Sequence, residues 1–187
     1  MCGKDMMSKR NSAKKLAFSA IIAALSTVLM FLSGVIPVAT IALPAIAGCM
    51  LIPVVIETNI KWGFAVYMVC SLLSLLLSSD KEAVFFYILF FGYYPLLYAV
   101  LGKIKWSVLR YAVKLLIYNM AVVAETLLSV YVLGIPFEMI SGLGRVTIPL
   151  LLVLANLVFI LYDYALDGLI TAYIRRFHSK IHHLFRF

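Results

Sequence analysis

Apolar residues fall into six long runs along this chain, each closed by a short polar or Gly/Pro-containing interruption. The first covers residues 16–36 and is stopped by Pro37. The second, 39–56, carries Pro44 and Pro53 and ends at the polar Glu57-Thr58-Asn59. The third, 63–77, is closed by Ser78-Ser79-Asp80-Lys81-Glu82. The fourth, 83–101, contains Tyr93-Tyr94-Pro95. The fifth occupies about 106–134, before Pro136, and the sixth about 146–173, closing on Arg175-Arg176. Crossing the hydrocarbon takes about 20 apolar residues per helix. The pattern therefore predicts an all-α membrane protein, a compact bundle of six transmembrane helices. Proline within a span is tolerated where neighbouring helices re-satisfy the freed carbonyl; with two prolines, the second span is expected to kink or break. Residues 1–187 read as one domain with short basic tails at 1–13 and 175–187.

Composition agrees. Hydrophobic residues make up 65% of the 187, charged residues 13%, and the mean hydropathy is +1.08, whereas a soluble domain is about half apolar and a quarter charged. The basic residues then set an orientation. With the N-terminus inside, Lys4, Lys9, Arg10, Lys14, Lys15, Lys61, Lys103, Lys105, Arg110, Lys114, Arg175, Arg176, Lys180 and Arg186 face the cytoplasm, leaving Lys81 and Arg145 outside. Cytoplasmic enrichment of Lys and Arg is the rule for multi-pass proteins, so both termini are expected in the cytoplasm and the chain in a plasma membrane. A basic face against anionic lipid accounts for the net charge of +8 without a nucleic-acid partner.

Polar residues inside the spans are costly and tend to face the bundle interior or a cavity. The fifth span carries Tyr111, Lys114, Tyr118, Glu125 and Ser129 on one helical face; the sixth carries Asn156, Asp163 and Asp167 on another. Joined by a short loop, the two spans should be antiparallel, and residues at equal depth then have indices of constant sum. Lys114 with Asp167, Tyr118 with Asp163, and Glu125 with Asn156 share one sum. This register predicts two layers. Lys114, Tyr118, Asp163 and Asp167 form a buried polar cluster in the cytoplasmic half, either a helix lock or a proton or cation relay. Glu125 and Asn156 open toward the outer half, where Glu125 has no base at its own depth and either packs as a neutral carboxyl or meets a ligand. The fourth span is crowded with Phe85, Phe86, Tyr87, Phe90, Phe91, Tyr93, Tyr94 and Tyr98. Because these surround the helix, most are expected to face lipid or the interfacial belt, with Tyr87 or Tyr94 available to stack on a flat solute.

Chemistry of other kinds has little to stand on. Cys2, Cys49 and Cys70 lack metal-ligand spacing, and His178, His182 and His183 lie in the basic tail with no carboxylate or thiol nearby. Neither a nucleophile motif nor a phosphate loop nor a zinc signature occurs, so no enzyme activity, metal or cofactor is expected.

The first span places Ala13, Ala17, Ala20 and Ala24 at intervals of three and four, a spacing that lets a second helix approach closely. With this feature, the chain resembles the substrate-binding S components of energy-coupling factor (ECF) vitamin transporters of bacteria. These are six-helix bundles of about this length with a basic N-terminus and an alanine-rich first helix. Their small-x-x-x-small motif matches Ala20-Ile21-Ile22-Ala23-Ala24. The resemblance implies that helix one, through Ala17, Ala20 and Ala24, docks a transmembrane coupling subunit, and that separate ATPases hydrolyse ATP. It implies a solute pocket formed by helices four to six and residues 35–42, and release of the solute by tipping in the membrane. Glu125, Asn156, Tyr87 and Tyr94 are the expected solute contacts. No vitamin-specific signature is present, so the resemblance leaves the solute open. Two rivals differ in kind: a structural or assembly factor without a substrate, marked by a solid bundle, and a lipid-modifying enzyme built on Asp163 and Asp167.

Overall fold

In a computed structural model the described residues, 2–36, 39–134 and 147–176, form six helices and no strand. The helices are α1 (Cys2–Ser33), α2 (Ala42–Glu57), α3 (Ile60–Leu77), α4 (Lys81–Leu101), α5 (Ser107–Tyr131) and α6 (Thr147–Arg176). The fold is an all-α bundle. Five of the helices are long and apolar enough to cross a membrane; α2 is shorter. Large apolar side chains such as Leu76, Leu116 and Leu161 stand exposed on the exterior, which suggests a membrane-embedded protein. The basic N-terminal stretch is helical and continuous with the rest of α1. The loop after the fifth span, Arg145, the three histidines and the basic Lys180 and Arg186 lie outside the described residues.

Proline shapes two helices. In α2 the helix divides at Met50 into Ala42–Cys49 and Leu51–Glu57. Pro53 has no N–H to offer the Cys49 carbonyl, so the ladder opens there, as the two prolines predict. In α4 a π-helical turn occupies Tyr87–Phe91, with the Gly92 N–H donating to the Tyr87 carbonyl at 2.7 Å. Pro95 likewise leaves the Phe91 carbonyl without its helical donor. That carbonyl lies against α2: a Cβ on Gly48 would sit only 2.2 Å from it. The two backbones meet where the sequence supplies no side chain.

Side-chain bonds fix the helix directions. Cys70 Sγ reaches the Ala23 carbonyl at 3.5 Å and Ser78 Oγ the Met30 carbonyl at 3.2 Å, so α1 and α3 run parallel. The connecting α2 must therefore return along the bundle, although it is only about 24 Å long at 1.5 Å per residue. A tight turn reverses the chain into α4. There the Lys81 ammonium donates to the Leu75 and Ser78 carbonyls at the end of α3, and the Asp80 carboxylate accepts from the Ala83 N–H. Tyr94 and Tyr98 of α4 bond Asp163 and Asp167 of α6 with the same sequence offset of 69, so α4 and α6 are parallel. The start of α1, the α2–α3 turn, the α4–α5 turn and the end of α6 consequently share one end of the bundle.

Two apolar cores flank α4. Phe18, Ile22, Met30, Leu51, Val54, Val66, Tyr87 and Leu96 join α1, α2, α3 and one side of α4. Ile52, Phe90, Phe91, Tyr94, Ala121, Phe159 and Leu166 join its other side to α5 and α6. Half of the α4 span is buried, against 22% for α5 and 17% for α6, so α4 is the central post and α5 and α6 lean on it. This corrects the expectation for its aromatics. Tyr87, Phe90, Phe91 and Tyr94 are buried, and Phe85, Phe86, Tyr93 and Tyr98 are partly covered; none is exposed. A helix ringed by aromatic residues proves to be the one with neighbours on most sides.

Candidate functional site

Three helices bring a charged layer together near the basic end. Lys114 lies about two turns into α5, where only a partner can compensate for burying its ammonium. It is 3% exposed, and Nζ stands 2.6 Å from Oδ1 of Asp163, itself 5% exposed. Tyr94 donates its hydroxyl to the same Oδ1 at 2.5 Å. One turn further along both α4 and α6, Tyr98 donates to Asp167 at 2.5 Å. The Tyr98 ring also lies beneath the Lys114 ammonium, 4.1 Å from Nζ to the ring centroid, adding a cation–π contact. Burying the pair is costly, and the geometry offsets that cost through two additional partners, the Tyr94 hydroxyl and the Tyr98 ring.

Above this layer sits an aromatic one. Phe90 packs against Phe91, Tyr94, Tyr118, Phe159 and Tyr162, with ring centroids between 4.8 and 5.9 Å. Tyr118 stacks on Phe159 at 4.5 Å, nearly parallel, and donates its hydroxyl to the Ala155 carbonyl. The π turn in α4 contributes here: the extra residue in that turn rotates the following face, so that Phe90, Phe91 and Tyr94 all join the core shared with α5 and α6.

Beyond the aromatic layer α5 and α6 separate, and a cavity of about 670 Å³ opens between them and α4. Phe86, Phe90, Tyr118, Phe159 and Tyr162 supply its rings; Leu89, Val122, Leu151 and Val158 are among its aliphatic walls. Its charged lining residues, among those described, are Glu82 from the first turn of α4 and Glu125 of α5. Ser129 donates to Glu125 Oε1 at 2.7 Å. Glu82 stands near a helix N-terminus, where negative charge is favoured. An apolar recess of this volume with a few polar groups can hold a drug-sized molecule.

Several predicted residues take other places. The α5–α6 register is displaced by about four to six positions from the expected one, roughly 6–9 Å of rise: Lys114 meets Asp163 rather than Asp167, and Asn156 meets Asn119 rather than Glu125. The cause is that Asp163 has to reach both Lys114 of α5 and Tyr94 of α4, a requirement that places α6 against the two helices together. Asn119 and Asn156 exchange amide bonds at 3.0 and 3.2 Å, outside the cavity lining, and tie the two helices together. Glu125 lines the cavity, and so does Tyr118, which belongs to the aromatic layer and not to the ion-pair layer. Tyr87 is enclosed in the first core, and Tyr94 is held on Asp163; neither lines the cavity. Ala17, Ala20 and Ala24 are exposed on the outer face of α1. Sequence reasoning passed over Glu82, Tyr98 and Asn119. Tyr98 could have been found from its spacing of four from Tyr94, matching that of Asp163 and Asp167.

Comparison of the chain with protein-family models, curated proteins and solved structures finds no match.

Proposed function

We propose that this chain is the membrane-embedded, solute-binding subunit of an ECF-like importer. It captures a small solute from the outer side and relies on a separate transmembrane coupling subunit and cytoplasmic ATPases to complete uptake. The observation that carries this reading is the cavity of about 670 Å³ bordered by α4, α5 and α6, with Glu125 and aromatic rings in its walls. The resemblance implies a pocket in those three helices. The exposed Ala17, Ala20 and Ala24 support the second half of the reading, because a small-residue face directed away from the bundle lets a partner helix approach closely. In this arrangement the basic end faces the cytoplasm and the cavity lies toward the other end, where Glu82 stands. A partner-binding protein without a solute would share the alanine face but would give the cavity no role.

Purification of the tagged chain from native membranes, with mass spectrometry of bound subunits and small molecules, tests the reading. The expected result is co-purification of a coupling subunit and ATPases, lost in Ala20→Leu/Ala24→Leu, and ATP-dependent uptake of the recovered solute by the reconstituted complex. Recovery of the wild-type chain free of ATPase subunits, with only phospholipid bound, would overturn it.

A further inference from the structure

We infer that the cavity between α4, α5 and α6 selects an organic cation with an apolar body, such as a hydrophobic amine or a quaternary onium ion. The inference rests on the solute-binding reading and names the class of solute. Its basis is the charge of the lining: two carboxylates, Glu82 and Glu125, and no Lys, Arg or His among the described lining residues. Lys81, next to Glu82 in sequence, is committed to the Leu75 and Ser78 carbonyls, and Lys114 is committed to Asp163 beyond the aromatic layer. Carboxylates beside apolar walls lose hydration, and an opposite charge brought close restores the favourable interaction. An acyl chain filling the same space would bring neither acid an opposite charge.

The walls decide what kind of cation fits. A bare metal ion such as Ca²⁺ takes six to eight oxygen ligands, and this lining is predominantly apolar, with rings instead of oxygens. Aromatic faces attract organic cations through the ring quadrupole, most strongly where water is excluded. Phe86, Phe90 and Tyr118 present such rings in the same cavity as Glu82 and Glu125. The volume of about 670 Å³ leaves room for an apolar body beyond the charged group.

The test uses the full chain in nanodiscs, with empty nanodiscs as background. Radiolabelled tetraphenylphosphonium is the cationic probe, tetraphenylborate its anionic counterpart of matched shape, and 1-aminoanthracene a neutral probe. Saturable tetraphenylphosphonium binding is expected, weakened about tenfold or more in Glu82→Gln/Glu125→Gln. Tetraphenylborate should bind the wild type more weakly than it binds that variant. If the double variant fails to fold, Glu82→Gln alone and competition between the two tetraphenyl ions on the wild type give the same discrimination. Absence of saturable cation binding, or equal affinity in the Gln variants, overturns the inference. Should 1-aminoanthracene still bind in that case, the cavity is a solute site without charge selectivity and the importer reading stands. Should neither probe bind, both readings fall.

Discussion

Lys114 and Asp163 show how a single interaction can set a packing arrangement. Each is buried, and each has partners only because α4, α5 and α6 meet at one level. Deleting one side of such a pair strands the other in a site of low polarizability. Lys114→Met is therefore expected to cost about 3–5 kcal/mol, measured as a loss of unfolding stability in detergent. Lys114→Met/Asp163→Asn should recover much of that loss, because the Asn amide can still accept from Tyr94 and carries no charge. Asp167→Asn should cost far less, since Asp167 is exposed and its partner is the neutral Tyr98 hydroxyl. The presence of this cluster was legible in the sequence, because two acids and a base in apolar helices at helical spacing have to find one another. The choice between Asp163 and Asp167 was not legible. It depends on Tyr94 and Tyr98, whose hydroxyls compete for the same carboxylates from a third helix, and a constant-sum argument on two helices omits them.

Helix shape followed from proline more faithfully than helix environment followed from hydrophobicity. Pro53 and Pro95 each leave a carbonyl without a helical donor, and the kink in α2 and the π turn in α4 lie beside those carbonyls. Apolarity does not distinguish a lipid-facing ring from a core ring in a membrane chain, since both environments accept it. The aromatic positions of α4 were misplaced for that reason. Glycine carries clearer information where two backbones touch. At Gly48 an added methyl group would collide with the oxygen and carbon of the Phe91 carbonyl, and the only relief is to move α2 away from α4. Gly48→Ala should cost about 1–3 kcal/mol, the usual range for overpacking a tight core. A Cβ at Gly168 of α6 would meet nothing within 4 Å, so Gly168→Ala should be neutral or stabilising by up to about 1 kcal/mol through helix propensity. Thermal unfolding followed by reaction of a thiol-specific dye with buried Cys70 measures both variants. Equal midpoints for the two would mean that the α2–α4 crossing has slack that its geometry does not show.

The whole bundle is organised by an end-to-end asymmetry of charge. With α1 parallel to α3 and α4 parallel to α6, Lys14, Lys15, Lys61, Lys103, Lys105, Arg110, Arg175 and Arg176 gather at one end. Among the described residues only Lys81 represents the basic set at the other, and there it caps α3. This grouping was legible in the sequence because alternating helices sort loops into two classes whatever their packing. The cavity was not, since its volume depends on α5 and α6 diverging beyond Asn119 and Asn156. The outward alanines of α1 make one prediction at this level: Ala20→Leu/Ala24→Leu should change stability by no more than about 0.5 kcal/mol, as an exposed pair should, while abolishing co-purification of a coupling subunit. The charge grouping makes another. Basic residues are retained on the cytoplasmic side during insertion, so the end holding Lys61 and Lys105 should face the cytoplasm and the end holding Ser79 should face outward. In a Cys2→Ser background, Ser79→Cys should react with a membrane-impermeant maleimide in intact cells, whereas Lys61→Cys and Lys105→Cys should react only after permeabilisation. All three positions are exposed, so accessibility reports sidedness and not burial. Labelling of Lys105→Cys from outside would invert the bundle, point the Glu82–Glu125 cavity at the cytoplasm and remove capture from the outer side as its role.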